Sequence, residues 1–199
     1  MEKTDLSKKT KIAIIHGPLV VGGAEKSLIN LLHFIDYSKY DVSLWIKDSS
    51  GQMQDQVDTR VTIGYWGDHL EQNYRQYLKE LLKHGRVFRL MQSIGCRWLS
   101  RFHVKNWHRN FKYYIRSLPL LTDEVYDVAI SYHSLVKEDL MILNYALKAK
   151  KRIGWIHGTC RHDPRDPYFE SFPIEYRKLD HVFCVSNVRE RYSLKNTRN

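Results

Sequence analysis

The sequence is short of cysteine, glycine, proline and long apolar runs, and each shortage excludes a class of protein. Three cysteines, Cys96, Cys160 and Cys184, with no Cys-x-x-Cys spacing, give neither a disulfide framework nor a zinc cage. They suit a reducing compartment. Ten glycines and five prolines in 199 residues are too few for a collagen-like or low-complexity chain. Apolar runs reach only about four or five residues, as in Ile12 to Ile15, against the roughly 20 that a membrane-spanning helix requires. The opening residues, Met1-Glu-Lys-Thr-Asp-Leu-Ser-Lys-Lys, lack the apolar core of a secretory signal. Hydrophobic residues at 43% and charged residues at 27% argue against bulk disorder, and the length suits one sizeable domain.

Acids are scarce in one segment above all. From Arg75 to Arg116, eleven Lys and Arg stand against a single acid, Glu80, a surplus equal to the +10 net charge of the whole chain. The basic character therefore belongs to an insertion and not to the fold around it.

Outside that segment the pattern is regular. Lys11 to His16 is a β-branched apolar run that reads as a strand buried on both faces. After Gly17-Pro18 and Gly22-Gly23, residues 24–35 place Leu28, Leu31, Leu32 and Ile35 on one helical face. Further strands are predicted at 41–47, 60–66, 126–132, 152–157 and 181–185, with a helix over 137–148 and a short one from Asn187. Alternating strands and helices predict an α/β fold with a doubly wound parallel sheet. The predicted organisation is a polar tail over 1–10, a domain over 11–199, and within it a basic, aromatic, helical insertion over 67–122.

A strand, a glycine turn and a helix N-terminus make a ready anion site, since free N–H groups and the helix dipole point outward. Gly22 and Gly23 would let a phosphate or sugar approach the main chain. The plain alternative is a tight turn needing positive φ. Neither the Gly-x-Gly-x-x-Gly of a nicotinamide site nor a Walker sequence is present, although Asp48 lies where a ribose-binding acid would.

Ligands of open α/β sheets sit at the carboxyl ends of the strands. His16, His133 and His157 all fall there, so they can line one cleft, or be structural histidines at strand ends. No His-x-x-x-His spacing supports a metal, and none is expected. Asp163 and Asp166, between prolines, read as a solvated turn and not as a glycosidase carboxylate pair.

The insertion admits three readings. Its cations interleave with Tyr77, Phe88, Trp98, Phe102, Trp107, Phe111, Tyr113 and Tyr114; Leu78, Leu81 and Leu82 share one helical face, and Ile94, Trp98 and Phe102 can share another. It can be a membrane-surface element, a nucleic-acid surface, or an ordinary helical insertion that packs on the sheet and solvates its charges.

Four stretches in register carry a resemblance. Ile12-Ala-Ile-Ile-His-Gly-Pro-Leu-Val-Val-Gly-Gly-Ala-Glu-Lys-Ser-Leu-Ile-Asn-Leu-Leu with Tyr40-Asp-Val-Ser-Leu resembles the opening of family-4 glycosyltransferases. Tyr126-Asp-Val-Ala-Ile-Ser, Lys151-Arg-Ile-Gly-Trp-Ile-His and Leu179-Asp-His-Val-Phe-Cys-Val-Ser186 resemble later landmarks of the same N-terminal domain. The resemblance implies one Rossmann-like, acceptor-side lobe of a two-lobed GT-B enzyme. Such an enzyme moves a sugar, with retention, from a nucleotide-sugar to a lipid-linked or polysaccharide acceptor, without a metal or other cofactor. It implies that Gly22 and Gly23 bind the donor and that His157 contacts the transferring sugar; for His16 and His133 it adds nothing, and they stay candidate cleft-lining residues or structural histidines.

The same resemblance favours an anionic membrane surface over nucleic acid for the insertion, with Lys79, Lys83, Arg86, Arg89, Arg97, Trp98, Arg101 and Trp107 at that surface. The location expected is cytoplasmic, peripheral at the inner face of the membrane. The sequence departs from the family in holding no counterpart of the donor-binding C-terminal lobe. That lobe is expected in the same or a second chain, and this chain alone is expected to be inactive. The alternatives are a non-catalytic module that binds a glycan, lipid or partner, or half of a nucleotide-sugar epimerase.

Overall fold

The computed structural model describes residues 9–70, 74–102, 107–134, 136–157 and 172–185. Ser186, the helix expected from Asn187, most of the N-terminal tail and the loop with Asp163 and Asp166 lie outside the described residues. Six strands form one sheet: β1 Thr10–His16, β2 Tyr40–Ile46, β3 Thr62–Tyr65, β4 Val125–Ser131, β5 Lys148–Ile156 and β6 His181–Cys184. Every pairing is parallel, and the order across the sheet is β3-β2-β1-β4-β5-β6.

Both faces of the sheet are covered, as a parallel sheet requires. Alternate residues of β1 show why. Ile14 packs with Leu28 and Leu32 of helix α1 (Gly23–Phe34), and with Val42, Leu44 and Ile46 of β2. Ala13 and Ile15 face the other way, into a cluster with Trp66, Ile115, Ala129, Met141 and Ile142. A side-chain period of two thus sends one apolar run into two cores. This is the doubly wound arrangement that the strand and helix alternation predicts.

Most boundaries shift from the sequence reading by a residue or two, and two shift by more. Helix α6 spans Lys137–Tyr145, and β5 starts at Lys148, paired with Val125, where the sequence reading continues the helix to 148 and starts the strand at 152. Lys148, Lys150 and Lys151 are exposed at the strand's lead-in, so hydrophobic periodicity is silent there. Asp123 near Lys148 and Asp127 on Lys150 take up charge that reads, in sequence alone, as a solvated helix end.

The β3-to-β4 crossover carries the insertion, built from α2 (Trp66–Leu70), α3 (Tyr74–Lys83), α4 (Val87–Phe102) and α5 (Trp107–Ser117). A short helix α7 (Phe172–Tyr176) precedes β6. The strand order reverses between β1 and β4, which places a crevice at their carboxyl ends, where doubly wound folds bind ligands.

Candidate functional site

Two loops and the carboxyl end of β5 meet at the reversal. The first follows β1 and runs from Gly17 to the N-terminus of α1. It is pinned from beneath: the Met53 amide donates to the Leu19 carbonyl (3.0 Å), and Gly51 sits so close that a Cβ there would lie 2.4 Å from the Leu19 nitrogen. Gly51 is therefore required by contact, and it fixes where the glycine turn stands.

Gly22 caps α1 in an extended conformation, φ −158°, so positive φ is not the reason for glycine here. The contact made there is with a movable side chain. The Glu25 carboxylate folds back over Gly22, and a Cβ would lie 2.3 Å from its Oε2. Gly23, in contrast, would point a Cβ into open space, as would Gly17. A carboxylate already occupies part of the α1 N-terminus, where the dipole favours it. Close approach by a ligand is thus open at Gly23 and contested at Gly22.

The second loop follows β4. The Tyr132 amide donates to the Ile15 carbonyl (3.1 Å), continuing the ladder, and its hydroxyl meets Ser27 Oγ of α1 at 2.9 Å. The carboxyl end of β5 completes the site, where the Ser134 amide and hydroxyl both donate to the Trp155 carbonyl and tie the second loop to that strand. The three histidines converge as a result. Ring centroids of His16 and His133 are 6.0 Å apart, those of Tyr132 and His157 4.5 Å, and His157 stacks on Trp155 at 5.9 Å. Tyr132, at the centre, was not singled out from the sequence; its signal is only its place beside His133 at a strand end.

His16 has a defined chemical polarity. Its ring is buried, at 1% exposure, and Nδ1 lies 3.2 Å from the Gly17 carbonyl oxygen. A carbonyl can only accept, so Nδ1 carries the proton, and Nε2 of the neutral ring is an acceptor. Nε2 is buried and has no hydrogen-bond partner. Burial holds the imidazoles of both His16 and His133 below the ordinary value, against the opposing pull of Glu25. At neutral pH the crevice therefore presents neutral imidazole and a carboxylate. That set accepts hydrogen bonds from hydroxyl groups. Among the described residues, no group of three His, Cys, Asp or Glu is arranged to hold a metal.

Asp139, in the first turn of α6, is fully buried, and neither carboxylate oxygen makes a well-formed hydrogen bond, although the Gly17 amide is directed toward it. Burial pushes its carboxyl well above the usual range, with Glu138 adding to the effect and Gly17 and Lys47 opposing it. The folded chain keeps this proton at pH values where the unfolded chain has lost it, so Asp139 lowers stability as pH rises above about 4. His16 and His133 act in the opposite sense. Unfolded imidazoles take up protons that the buried rings refuse, so their contribution is lost as pH falls through about 6.5. Asp139→Asn is expected to stabilise the chain at pH 7 by about 1–3 kcal/mol and to give little at pH 4. Thermal melts at the two pH values check this; an equal gain at both would clear Asp139 of the penalty.

Inside the insertion, polar side chains of α4 share the inward side with a few apolar ones, Leu81, Cys96, Ile115 and Leu118. On α4, Arg89 donates to Tyr77 Oη (3.2 Å), Gln92 Oε1 (2.6 Å) and the Leu118 carbonyl (2.6 Å). Arg97 lies between the rings of Tyr74 and Tyr114, 4.6 and 4.5 Å from their centroids. Buried Ser93 donates toward Tyr74 Oη and the Ser117 carbonyl. Arg89 and Arg97, grouped with the surface cations in the sequence reading, are thus spent inside the insertion. Lys79, Lys83, Arg86 and Arg101 are exposed. So are Val87, Phe88, Met91, Ile94 and Trp98, which recur at i, i+1, i+4, i+7 and i+11 on one face of α4, between 48% (Ile94) and 83% (Phe88) exposed. The side chain of Trp107 lies outside the described residues, and no described helix is long and apolar enough to cross a membrane.

Fold and crevice together define the class: a Rossmann-like, doubly wound α/β domain with its ligand crevice at the β1/β4 reversal. No protein-family model, no curated protein and no solved structure matches the chain, so none of these comparisons identifies a glycosyltransferase family.

Proposed function

We propose that this chain is the acceptor-side half of a retaining glycosyltransferase, which moves a hexosyl unit from a nucleotide-sugar to a lipid-linked or polysaccharide acceptor. In this reading it works at an anionic membrane surface on the cytoplasmic side, with a donor-binding lobe from the same or a second chain. The observation that carries the proposal is the buried acceptor of His16, set beside His133, His157, Tyr132 and the α1 N-terminus at the strand-order reversal. A polyol supplies the hydroxyl donors that such a set wants, whereas a hydrocarbon or a flat aromatic ligand supplies none.

The chain's own residues divide the work. His157, held between Tyr132 and Trp155, contacts the transferring sugar and steadies charge that develops at its anomeric carbon. His16 accepts a hydrogen bond from a sugar hydroxyl at Nε2. Gly23 leaves room for the donor's phosphate near the first-turn amides of α1, with Glu25 setting how close it comes. Neutralisation of the diphosphate falls to the donor-binding lobe.

The test uses the protein as it occurs in its source cells, captured with an antibody raised against this chain. It is incubated with labelled nucleotide-hexoses and a membrane extract. Label entering lipid or polysaccharide is the expected result. Interconversion of the nucleotide-sugar without acceptor would instead identify an epimerase, and binding without any turnover a non-catalytic module; either outcome would overturn the transferase reading.

A further inference from the structure

A second concavity lies at the opposite end of the sheet from the histidine crevice. It is a groove of about 1370 Å³ beneath the insertion, between α3 and α4, the 119–123 segment and the start of β5. Its walls carry four cations, Arg86 before α4, Arg89 on α4, Arg116 on α5 and Lys148 opening β5, of which Arg89 is already bonded to Tyr77, Gln92 and the Leu118 carbonyl. Arg86 and Arg116 have no carboxylate within ion-pair distance among the described residues, and Lys148 is only 3.7 Å from exposed Asp123. Glu80 is the other acid on the wall. Leu81, Leu121 and the ring of Phe88 supply apolar surface between the charges.

Phe88 and Val87 belong to the groove and also to the exposed apolar face of α4. One continuous surface therefore runs from a cationic recess onto a stripe of Val87, Phe88, Met91, Ile94 and Trp98. A nucleic acid would use cations along an open track with aromatic platforms; it has no use for Val, Met and Ile. A bilayer lipid matches both parts, an anionic head and an apolar tail joined in one molecule.

We propose that the groove receives the phosphate head of an anionic bilayer lipid while the exposed face of α4 enters the acyl layer beside it. The proposal rests on the membrane part of the reading above and is independent of sugar transfer. It separates two kinds of contact. Arg86, Arg116 and Lys148 hold the head, and the α4 face holds the bilayer.

The experiment uses the 199-residue chain, with dihexanoylphosphatidylglycerol kept below its micelle concentration and, separately, vesicles of phosphatidylglycerol and phosphatidylcholine. Saturable binding of the soluble lipid is expected. It should weaken at least tenfold in Arg116→Ala/Lys148→Ala and stay unchanged in Met91→Glu. Vesicle binding should weaken at least tenfold in both variants. Absence of saturable lipid binding, or equal binding by the double variant, would overturn the proposal. So would displacement of the lipid by inorganic phosphate at equal concentration, which marks a free-anion site, or release of vesicles by an oligonucleotide of equal charge. Should the double variant fail to fold, a photoreactive headgroup on the unaltered chain decides: attachment within 119–123 supports the groove, and attachment only elsewhere removes it. Turnover on a water-soluble acceptor is read in parallel on the protein captured from its source cells, so absence of lipid binding by the unaltered chain with that turnover intact sinks this inference alone.

Discussion

Replacing His157 by alanine in the complete transferase is expected to lower turnover by about 100- to 1000-fold, the usual loss for one group that stabilises developing charge. The thermal midpoint should barely move. The ring is half-buried at the end of β5, packed on Tyr132 at 4.5 Å and Trp155 at 5.9 Å, so its truncation opens a partly solvated gap and not a core cavity. Tyr132→Phe makes the contrast. It keeps the ring that supports His157 and loses only the hydroxyl that meets Ser27, so its effect on turnover should be much smaller. Steady-state kinetics paired with melts decide the matter. Unchanged turnover in His157→Ala would take this residue out of the site, and with it the most direct link between crevice and sugar.

Trp66→Ala carries the largest expected cost in stability, about 3–5 kcal/mol, as for other buried aromatics reduced to alanine. Folded domains are stable by only about 5–15 kcal/mol, so much of the margin would go. The melting temperature should drop by roughly 6–20 °C for a chain of this size. Trp66 is 2% exposed and joins Ala13, Ile15, Ile115 and Ala129 in the core beneath the insertion. Its indole N–H donates to the His16 carbonyl at 3.0 Å, so the same side chain closes a core and holds a crevice residue in place. Trp66→Phe separates the two duties. It retains most of the packing and strands the His16 carbonyl, at about 1–3 kcal/mol. A drop of under about 2 °C in Trp66→Ala, below the roughly 2–4 °C that even one kcal/mol costs at this size, would show that this core is not the one the domain depends on.

Much of this architecture is legible in the chain. Short runs rich in Ile and Val, such as Ile12 to Ile15, announce strands buried on both faces, and the parallel sheet follows. That three histidines at strand ends can share one cleft also follows, because strand ends of a parallel sheet share an edge. Other features are missed or silent. The close approach of the Glu25 carboxylate to Gly22 sits at the N-cap and N3 spacing of a capping box, a local pattern that the sequence reading passes over. Asp139 looks like an ordinary first-turn acid; only its neighbours Leu140, Met141 and Ile142, all fully buried, hint that the helix has little solvent-facing side.

The insertion is the sharpest case. Periodicity places Ile94 and Trp98 on one face of a helix, and that is where they lie. Periodicity does not say which face looks inward. Here Arg89, Arg97 and Ser93 find tyrosine rings, hydroxyls and carbonyls within the helical cluster, and the apolar side is left outward. Partners that lie twelve to twenty-nine residues away decide this, and a window of one helix cannot contain them.

An interior of this kind has a consequence for how the molecule opens. Leu81, Cys96, Ile115 and Leu118 are its main buried apolar side chains, far fewer than the sheet commands on either face. Cation–ring contacts and hydrogen bonds do most of the remaining work, and each gives only a modest net gain over water. The amides of α3, α4 and α5 therefore belong to a cooperative unit that exchanges its hydrogens sooner than those of β1, β2 and β4. A surface that covered the α4 face would slow that exchange, making amide protection across the insertion a gauge of whether the domain is docked.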